Sequence, residues 1–190
     1  MRQLLLLRHA KSSWDDPALD DHDRPLNPRG HHTAALLRGA MRAIGLLPDV
    51  VLVSTARRTR ETLAALEPWD ETPLVEELRS LYLATAPQLL AALNAVPETA
   101  RSVLLVGHNP GLHDLALLLA GSQDALATQE ATRRLAEGFP TGGLAEFAVA
   151  GRWSILGAGG ARLDRFIDPH TLTEPLDLDA PKPVGTSVRD

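Results

Sequence analysis

Cysteine is absent from this 190-residue chain. Its absence excludes disulfide bonds, thiolate metal ligands and a cysteine nucleophile. No serine stands in a nucleophile elbow of the G-x-S-x-G type. Covalent chemistry in this sequence must therefore use a different nucleophilic side chain.

An excess of positive charge is also lacking. The chain has 19 Lys and Arg against 24 Asp and Glu, a formal net charge of -5. A nucleic-acid-binding surface requires a basic stripe rather than scattered cations. We therefore expect no nucleic-acid partner, and an anionic substrate must meet a local cluster of positive side chains.

Hydrophobic runs long enough to span a membrane are missing too. The apolar run at 4–7 follows Arg2, is four residues long, and is ended by Arg8 and His9. The apolar core of a signal peptide needs roughly 7–15 residues. The sequence therefore predicts no membrane partner and a cytoplasmic location.

The composition that remains is that of an ordinary globular protein. Hydrophobic residues make up 44% and charged residues 23%, and the length suits one domain. We predict a single domain over residues 1–168. A Pro-rich tail over 169–190, with Pro175, Pro181 and Pro183 among acidic residues, is expected to wrap the surface or to be disordered.

Short apolar runs alternate with longer helical patterns along the chain, and this alternation predicts an α/β fold with a mostly parallel sheet. The predicted strands are 3–7, 50–53, 74–75, 102–106, and a hairpin of 144–149 with 153–156, with 161–167 as a possible further strand. The predicted helices are 29–44, 57–66, 87–96, 111–120 and 129–137.

Polar side chains follow three of these strands directly. They are Arg8-His9, the segment Ser54 to Arg58, and His108-Asn109. Ligands of open α/β sheets bind outside the carboxyl ends of the strands, so the three loops are expected to converge on one crevice. Two histidines and at least two arginines would form a site for a multiply charged anion, with phosphate the obvious candidate.

Such a cluster is suited to phosphoryl transfer. A forked guanidinium holds two phosphoryl oxygens at once, while a neutral imidazole attacks phosphorus in line. Flanking arginines disfavour the imidazolium form of His9 and so keep its lone pair available. Within the basic run, we select Arg58 for the site and interpret Arg57 and Arg60 as a solvated helix face.

These residues also carry a family resemblance. The motifs, in order, are Leu6-Leu7-Arg8-His9-Ala10-Lys11-Ser12-Ser13-Trp14, then Asp23-Arg24-Pro25-Leu26-Asn27-Pro28-Arg29-Gly30, then Ser54-x-x-x-Arg58-x-x-x-Thr62, then Val106-Gly107-His108-Asn109-Pro110. The sequence resembles the histidine phosphatase superfamily and looks most like its SixA-type phosphohistidine phosphatase branch. The match covers about residues 4–119.

The resemblance implies an α/β three-layer sandwich like that of phosphoglycerate mutase, with a mostly parallel central sheet flanked by helices. It implies that His9 is transiently phosphorylated, and that Arg8, Arg58 and His108 bind the phosphoryl oxygens before water releases phosphate. It implies no metal and no cofactor. Ser12 is expected to shape the phosphate-binding loop.

The sequence departs from the wider superfamily at two positions of the first motif. Ala10 replaces a glycine, and Asp15 stands where mutases place a phosphate-binding Asn. The proton donor to the leaving group is a separate question. Glu77, beside Glu76, lies in the segment where mutase-type relatives keep an acidic donor, and a leaving imidazole would need little help from it.

The leading hypothesis is a phosphatase that acts on phosphohistidine in a protein. The alternatives are a general phosphatase of small phosphorylated metabolites, a mutase, and a non-catalytic phosphate-binding module. A mutase usually relies on a larger covering insertion than 63–101 supplies, and a binding module would need no nucleophile. The partner is thus a phosphorylated protein or a small phosphorylated metabolite.

Two further points concern polar residues to which the resemblance assigns no role. Arg24 either pairs with Asp20, Asp21 or Asp23 or faces the substrate, and the sequence leaves both possibilities open. The remaining histidines show no metal-ligand spacing with carboxylates, and we interpret them as surface or structural residues: His22, His31, His32, His113 and His170.

Overall fold

A computed structural model describes residues 1–121 and 129–172 of the chain. The strands of its central sheet are β1 (Arg2–Arg8), β2 (Val50–Ser54), β3 (Leu74–Leu78), β4 (Ser102–Gly107), β5 (Leu144–Val149) and β6 (Ala161–Ile167). Their order in the sheet is β3-β2-β4-β1-β5-β6. The first four strands of the chain pair with one another in parallel, and β5 and β6 add an antiparallel edge.

Helices cover both faces of this sheet. They are α1 (Pro28–Ala43), α2 (Arg57–Ala65), α3 (Ala86–Asn94), α4 (Gly111–Ala120) and α5 (Gln129–Glu137). Because side chains alternate along a strand, Leu5 and Leu7 of β1 pack with α1 and α2, while Leu4 and Leu6 pack with α3, α4 and α5. The expected three-layer α/β sandwich is confirmed.

The start of α1 fixes the chain that follows β1. Asn27 caps the helix by accepting a hydrogen bond from the backbone N–H of Gly30, and Pro28 occupies the first turn. A Cβ atom on Gly30 would lie 2.1 Å from the carbonyl oxygen of Lys11. Glycine is therefore required here, because the helix start packs directly on the loop that carries the first motif.

The predicted hairpin partner at 153–156 is wrong. Trp153–Ile155 forms a 3₁₀ helix, and β6 is the strand that pairs with β5. The Trp153 ring is fully buried and its Nε1–H donates to the carbonyl of Ala100. The backbone N–H groups of Trp153 and Ser154 donate to the Glu98 carboxylate, which holds them away from any strand ladder.

The described chain ends in a short segment that packs on the domain. Pro169–Thr171 forms a 3₁₀ helix with Pro169 buried, so the first residues of the expected tail lie against the domain. The rest of that prediction, 173–190, lies outside the described residues.

Within 1–121 and 129–172, no helix is long and apolar enough to cross a membrane.

Candidate active site

The register of the parallel strands brings the three predicted loops together. Arg8 at the end of β1 pairs with Gly107 at the end of β4, and Val53 of β2 pairs with Val106. The residues that follow these positions therefore leave the sheet side by side. The ring centroids of His9 and His108 are 5.2 Å apart.

A pocket of about 330 Å³ opens at this edge of the sheet. The predicted site residues that line it are Arg8, His9, Ser12, Arg58 and His108. His9, Ser12, Arg58 and His108 are buried residues, which is unusual for polar side chains and requires that they bind one another or a ligand.

Hydrogen bonds fix the orientation of the His9 ring. Nδ1 lies 2.8 Å from the carbonyl oxygen of Ala10, and Nε2 lies 3.2 Å from Nε of Arg58. A carbonyl oxygen only accepts and a guanidinium only donates, so this network assigns the proton to Nδ1 and the lone pair to Nε2. Thr62 Oγ1 accepts from the backbone N–H of Ala10 and ties this loop to α2.

Arg58 and Arg57 are neighbours on α2 with different environments. Arg58 is 3% exposed and points into the pocket, where its Nη2 also lies 3.4 Å from Nδ1 of His108. Arg57 is exposed and pairs with Glu61 one turn later on the same helix. The helical geometry thus gives the pocket one cation and leaves the adjacent one in solvent.

His108 bridges Arg58 and the end of β2. Its Nε2 lies 2.8 Å from Oγ of Ser54, a fully buried residue. The Ser54 hydroxyl also accepts from the backbone N–H of Ala56. Because a guanidinium only donates, Nδ1 of His108 holds its lone pair on the Arg58 side, and the Nε2–H donates to Ser54 Oγ.

Arg8 supplies a second cation with donors to spare. Its Nη1 donates to the carbonyl of Phe139 at 2.8 Å, and the side chain of Asn109 donates to the same oxygen. Arg8 Nε is buried and has no hydrogen-bond partner within the described chain. A buried unpaired donor beside a cationic pocket is suited to an anionic ligand.

The structure resolves the open question about Arg24. Its Nε and Nη2 donate to the carbonyl of Ser13 at 2.8 Å and to Oγ of Ser12 at 2.7 Å, while its Nη1 pairs with Asp21 at 2.8 Å. Arg24 also stacks on Trp14 and borders the pocket. It therefore holds the loop that contains Ser12 and adds positive charge to the site.

The structure does not bring Glu77 to this pocket. Its carboxylate pairs with Nε of Arg60 at 3.2 Å on the outside of α2, and it lines a separate groove with Arg60 and Val75. In the parallel sheet, Glu77 pairs with Val53, so it lies one strand further from β4 than the loop of Ser54. The expectation that Glu77 reaches the leaving group therefore lacks a structural basis.

Asp21 and Tyr82 contact the site although neither is among the site residues predicted from the sequence. Asp21 is one of several carboxylates in an acidic loop, and Tyr82 is the single tyrosine of the chain. In the structure, Asp21 accepts from Arg58, Arg24 and the Tyr82 hydroxyl. A tertiary contact between segments 61 residues apart cannot be seen in local patterns.

Comparison with known proteins agrees with this geometry. The sequence model of the histidine phosphatase superfamily (branch 1) matches residues 4–81. A protein of Mycobacterium tuberculosis is 39% identical over 167 residues, covering 86% of this chain and all of that protein. The structure assigned to the phosphohistidine phosphatase SixA of Nakamurella multipartitia is 32% identical, with a TM-score of 0.76, covering 88% of this chain and 96% of that one.

The chain belongs to the histidine phosphatase superfamily. Within it, the structural relatives place the chain in the SixA-type branch. A protein histidine phosphatase SixA in complex with tungstate shares the fold, with a TM-score of 0.72 at 22% identity. This membership supports a phosphatase activity for the pocket.

The two departures of this SixA-type chain have simple structural settings. Ala10 is fully buried, and its methyl group packs with Leu26 and Ala34 in a small apolar cluster. Asp15 is exposed and is not one of the pocket-lining residues. Asp15 therefore does not line the pocket as a phosphate-binding residue would, whereas Arg24 does.

No group of three or more His, Asp and Glu side chains within residues 1–121 and 129–172 has an arrangement that would hold a metal ion. The acidic residue of the pocket, Asp21, is instead surrounded by two arginines. The positively charged side chains that line this pocket are Arg8, Lys11, Arg24 and Arg58.

Burial and positive charge keep both histidines neutral. Burial is the largest cause that lowers the pKa of His9 to about 4, and the charge of Arg58 adds to it against the hydrogen bond to Ala10. Burial, followed by the charges of His9 and Arg58, lowers the pKa of His108 to about 3. At neutral pH, His9 therefore has a free lone pair.

We expect the ring resonances of His9 and His108 to stay unchanged between about pH 5.5 and 8 in an NMR titration, because both pKa values lie below the ordinary 6.5. The unfolded chain takes up these protons near pH 6.5 and the folded chain does not. The free energy of unfolding should therefore decrease as pH falls from about 6.5 towards 4.

A midpoint near 6.5 for the His9 ring would contradict the neutral resting state.

Proposed function

We propose that this protein is a metal-independent phosphohistidine phosphatase that removes the phosphoryl group from phosphohistidine in a protein, through a covalent intermediate on His9. The observation that supports this most is the orientation of His9. Its Nδ1–H is bound to the Ala10 carbonyl, so the lone pair of Nε2 faces the arginine and histidine cluster.

In the first step, His9 Nε2 attacks phosphorus and the bond from phosphorus to the leaving nitrogen breaks. The leaving imidazole keeps the bonding electron pair, and a ring already protonated on its other nitrogen departs as neutral imidazole. Arg8 and Arg58 neutralise the charge on the equatorial oxygens. The N–H of Arg58 Nε, which donates to the His9 lone pair at rest, then donates to a phosphoryl oxygen instead. His108 is a further donor once its Nδ1 carries the proton, and the Ser54 hydroxyl then donates to Nε2.

In the second step, water attacks the phosphorus of phosphorylated His9. The P–N bond breaks, inorganic phosphate leaves, and the neutral His9 ring is restored. The lowered pKa of His9 makes it a weaker base and hence a better leaving group in this step.

The mouth of the pocket supports a protein as substrate. Trp14 and Leu83 stand at its rim with 74% and 52% of their surfaces exposed. The segment between α2 and β4 contains β3, a short 3₁₀ helix and α3, which all pack on the sheet or its helices. As far as the described residues go, an imidazole that protrudes from a partner can therefore reach His9 without the opening of a lid.

We expect phosphohistidine on a small carrier protein to be hydrolysed with a kcat/KM at least about tenfold above that of sugar phosphates or phosphoglycerate. The reason is the open mouth together with a leaving group that needs little acid. Phosphate release is measured across this panel, with and without a chelator.

We also expect Glu77→Gln to change each rate less than about twofold, since Glu77 pairs with Arg60 outside the pocket.

Each outcome separates one alternative. A clear preference for a sugar phosphate, with Glu77 essential, would favour a general phosphatase of small phosphorylated metabolites. Phosphate binding without turnover of any substrate would favour a non-catalytic binding module. Loss of activity in the chelator would contradict metal independence.

A further inference from the structure

Asp21 places a carboxylate inside a pocket that is otherwise built for anions. It lies in the 3₁₀ helix Asp21–Asp23 before α1 and contacts the outer edge of the Arg58 guanidinium twice. Arg58 Nη2 donates to Asp21 Oδ2 at 2.9 Å, and Arg58 Nη1 donates to the Asp21 backbone carbonyl. Two contacts on one edge fix both the position and the plane of a guanidinium.

The inner edge of the same guanidinium is the one that faces the reacting groups. Arg58 Nε lies 3.2 Å from Nε2 of His9, and Nη2 lies 3.4 Å from Nδ1 of His108. Asp21 therefore binds the edge away from the nucleophile and leaves the edge beside it for phosphoryl oxygens.

Asp21 is itself held in place by two other side chains. The Tyr82 hydroxyl donates to Oδ2 at 2.7 Å, and Arg24 Nη1 donates to Oδ1 at 2.8 Å. The Tyr82 ring also packs edge-on against His108, with centroids 5.5 Å apart. Arg24, in the loop after β1, and Tyr82, in the segment before α3, thus hold the carboxylate in place together.

An anion in this place repels a phosphate ligand, so its presence weakens ground-state binding. The carboxylate offsets that cost in catalysis if it helps the transition state more than the ground state. Orientation of Arg58 is such an effect, because charge on the equatorial oxygens is bound best by a preorganised donor pair.

We propose that Asp21, supported by Tyr82, is a positioning residue that orients Arg58 towards the phosphoryl group. The inference rests on the proposed function of the pocket. It makes Asp21 act through Arg58 rather than on the substrate, and it predicts opposite effects on catalysis and on phosphate binding.

We expect Asp21→Ala to lower kcat about 30- to 100-fold, which is the scale of a misplaced catalytic group. The dissociation constant for inorganic phosphate, measured by calorimetry, should stay equal or decrease, because a negative charge is removed. Tyr82→Phe should lower kcat about three- to fivefold through loss of one hydrogen bond. Asp23→Ala, a change in the same loop at a carboxylate that pairs only with His22 within the described contacts, is the matched control.

The decisive comparison is a double-mutant cycle. In an Arg58→Ala background, Asp21→Ala should lower kcat less than about threefold, because the group that it orients is gone. An equal loss in both backgrounds, or weaker phosphate binding in Asp21→Ala and Tyr82→Phe alike, would overturn the inference. Turnover by His9→Ala in the same assay would instead overturn the proposed function, so the two failures are distinguishable.

Discussion

His9→Ala is expected to lower turnover by at least about 10⁴-fold, the scale seen when a covalent nucleophile is removed. The cations of the pocket, Arg8, Arg24 and Arg58, remain in this variant, so it should still bind phosphate. The fold should be retained, because the buried leucines of β1 that hold the loop in place are unchanged.

The measurement is a rapid quench into base with substrate labelled on the phosphoryl group. The wild-type protein should carry an acid-labile, base-stable label, and His9→Ala should carry none. His31→Ala, which alters an exposed histidine of α1, is the matched control and should turn over normally. Near-normal turnover by His9→Ala would show that the covalent mechanism is wrong.

The α/β fold could be predicted because this sheet is buried on both faces. A strand such as β1, with four consecutive fully buried leucines, differs plainly from the amphipathic helices beside it. The apolar helix expected to open from 107–111 and to reach Ala120 is α4, which ends at Ala120 because Gly121 has a positive φ of 56°.

The strand predicted at 153–156 is wrong because contacts distant in the sequence decide the structure there. The local sequence of Trp153 has the apolar character of a strand, but its ring fits a cavity beside Ala100 and its backbone is bound by Glu98. Glu98 lies 55 residues away in the sequence. Such a contact exists only after the chain has folded, so no local pattern could predict it.

The candidate site likewise contains residues that could be predicted from the sequence and residues that could not. His9, Arg58 and His108 follow strands at the edge where the ends of a parallel sheet meet, and that rule is visible in sequence. Asp21 lies in a three-residue 3₁₀ helix, and Tyr82 directly follows another one. Their part in the pocket depends on how two loops meet, which composition and spacing do not encode.

The pair Arg57 and Arg58 offers the strongest test of the site geometry, because two identical side chains differ by one helical step. Arg58 is 3% exposed and lies 3.2 Å from His9, whereas Arg57 is exposed and pairs with Glu61. We expect Arg58→Ala to lower kcat about 10²- to 10³-fold, as for loss of one preorganised stabiliser of transition-state charge.

His108→Ala should cause a loss of the same order, about 10²–10³, while Arg57→Ala should change kcat less than about threefold. Arg58→Lys should recover little, because an ammonium cannot offer the guanidinium edge that Asp21 and His9 share between them. Steady-state kinetics on one phosphorylated carrier protein would measure all four variants. Equal losses in Arg57→Ala and Arg58→Ala would mean that charge near the mouth, and not a fixed donor beside His9, accounts for catalysis.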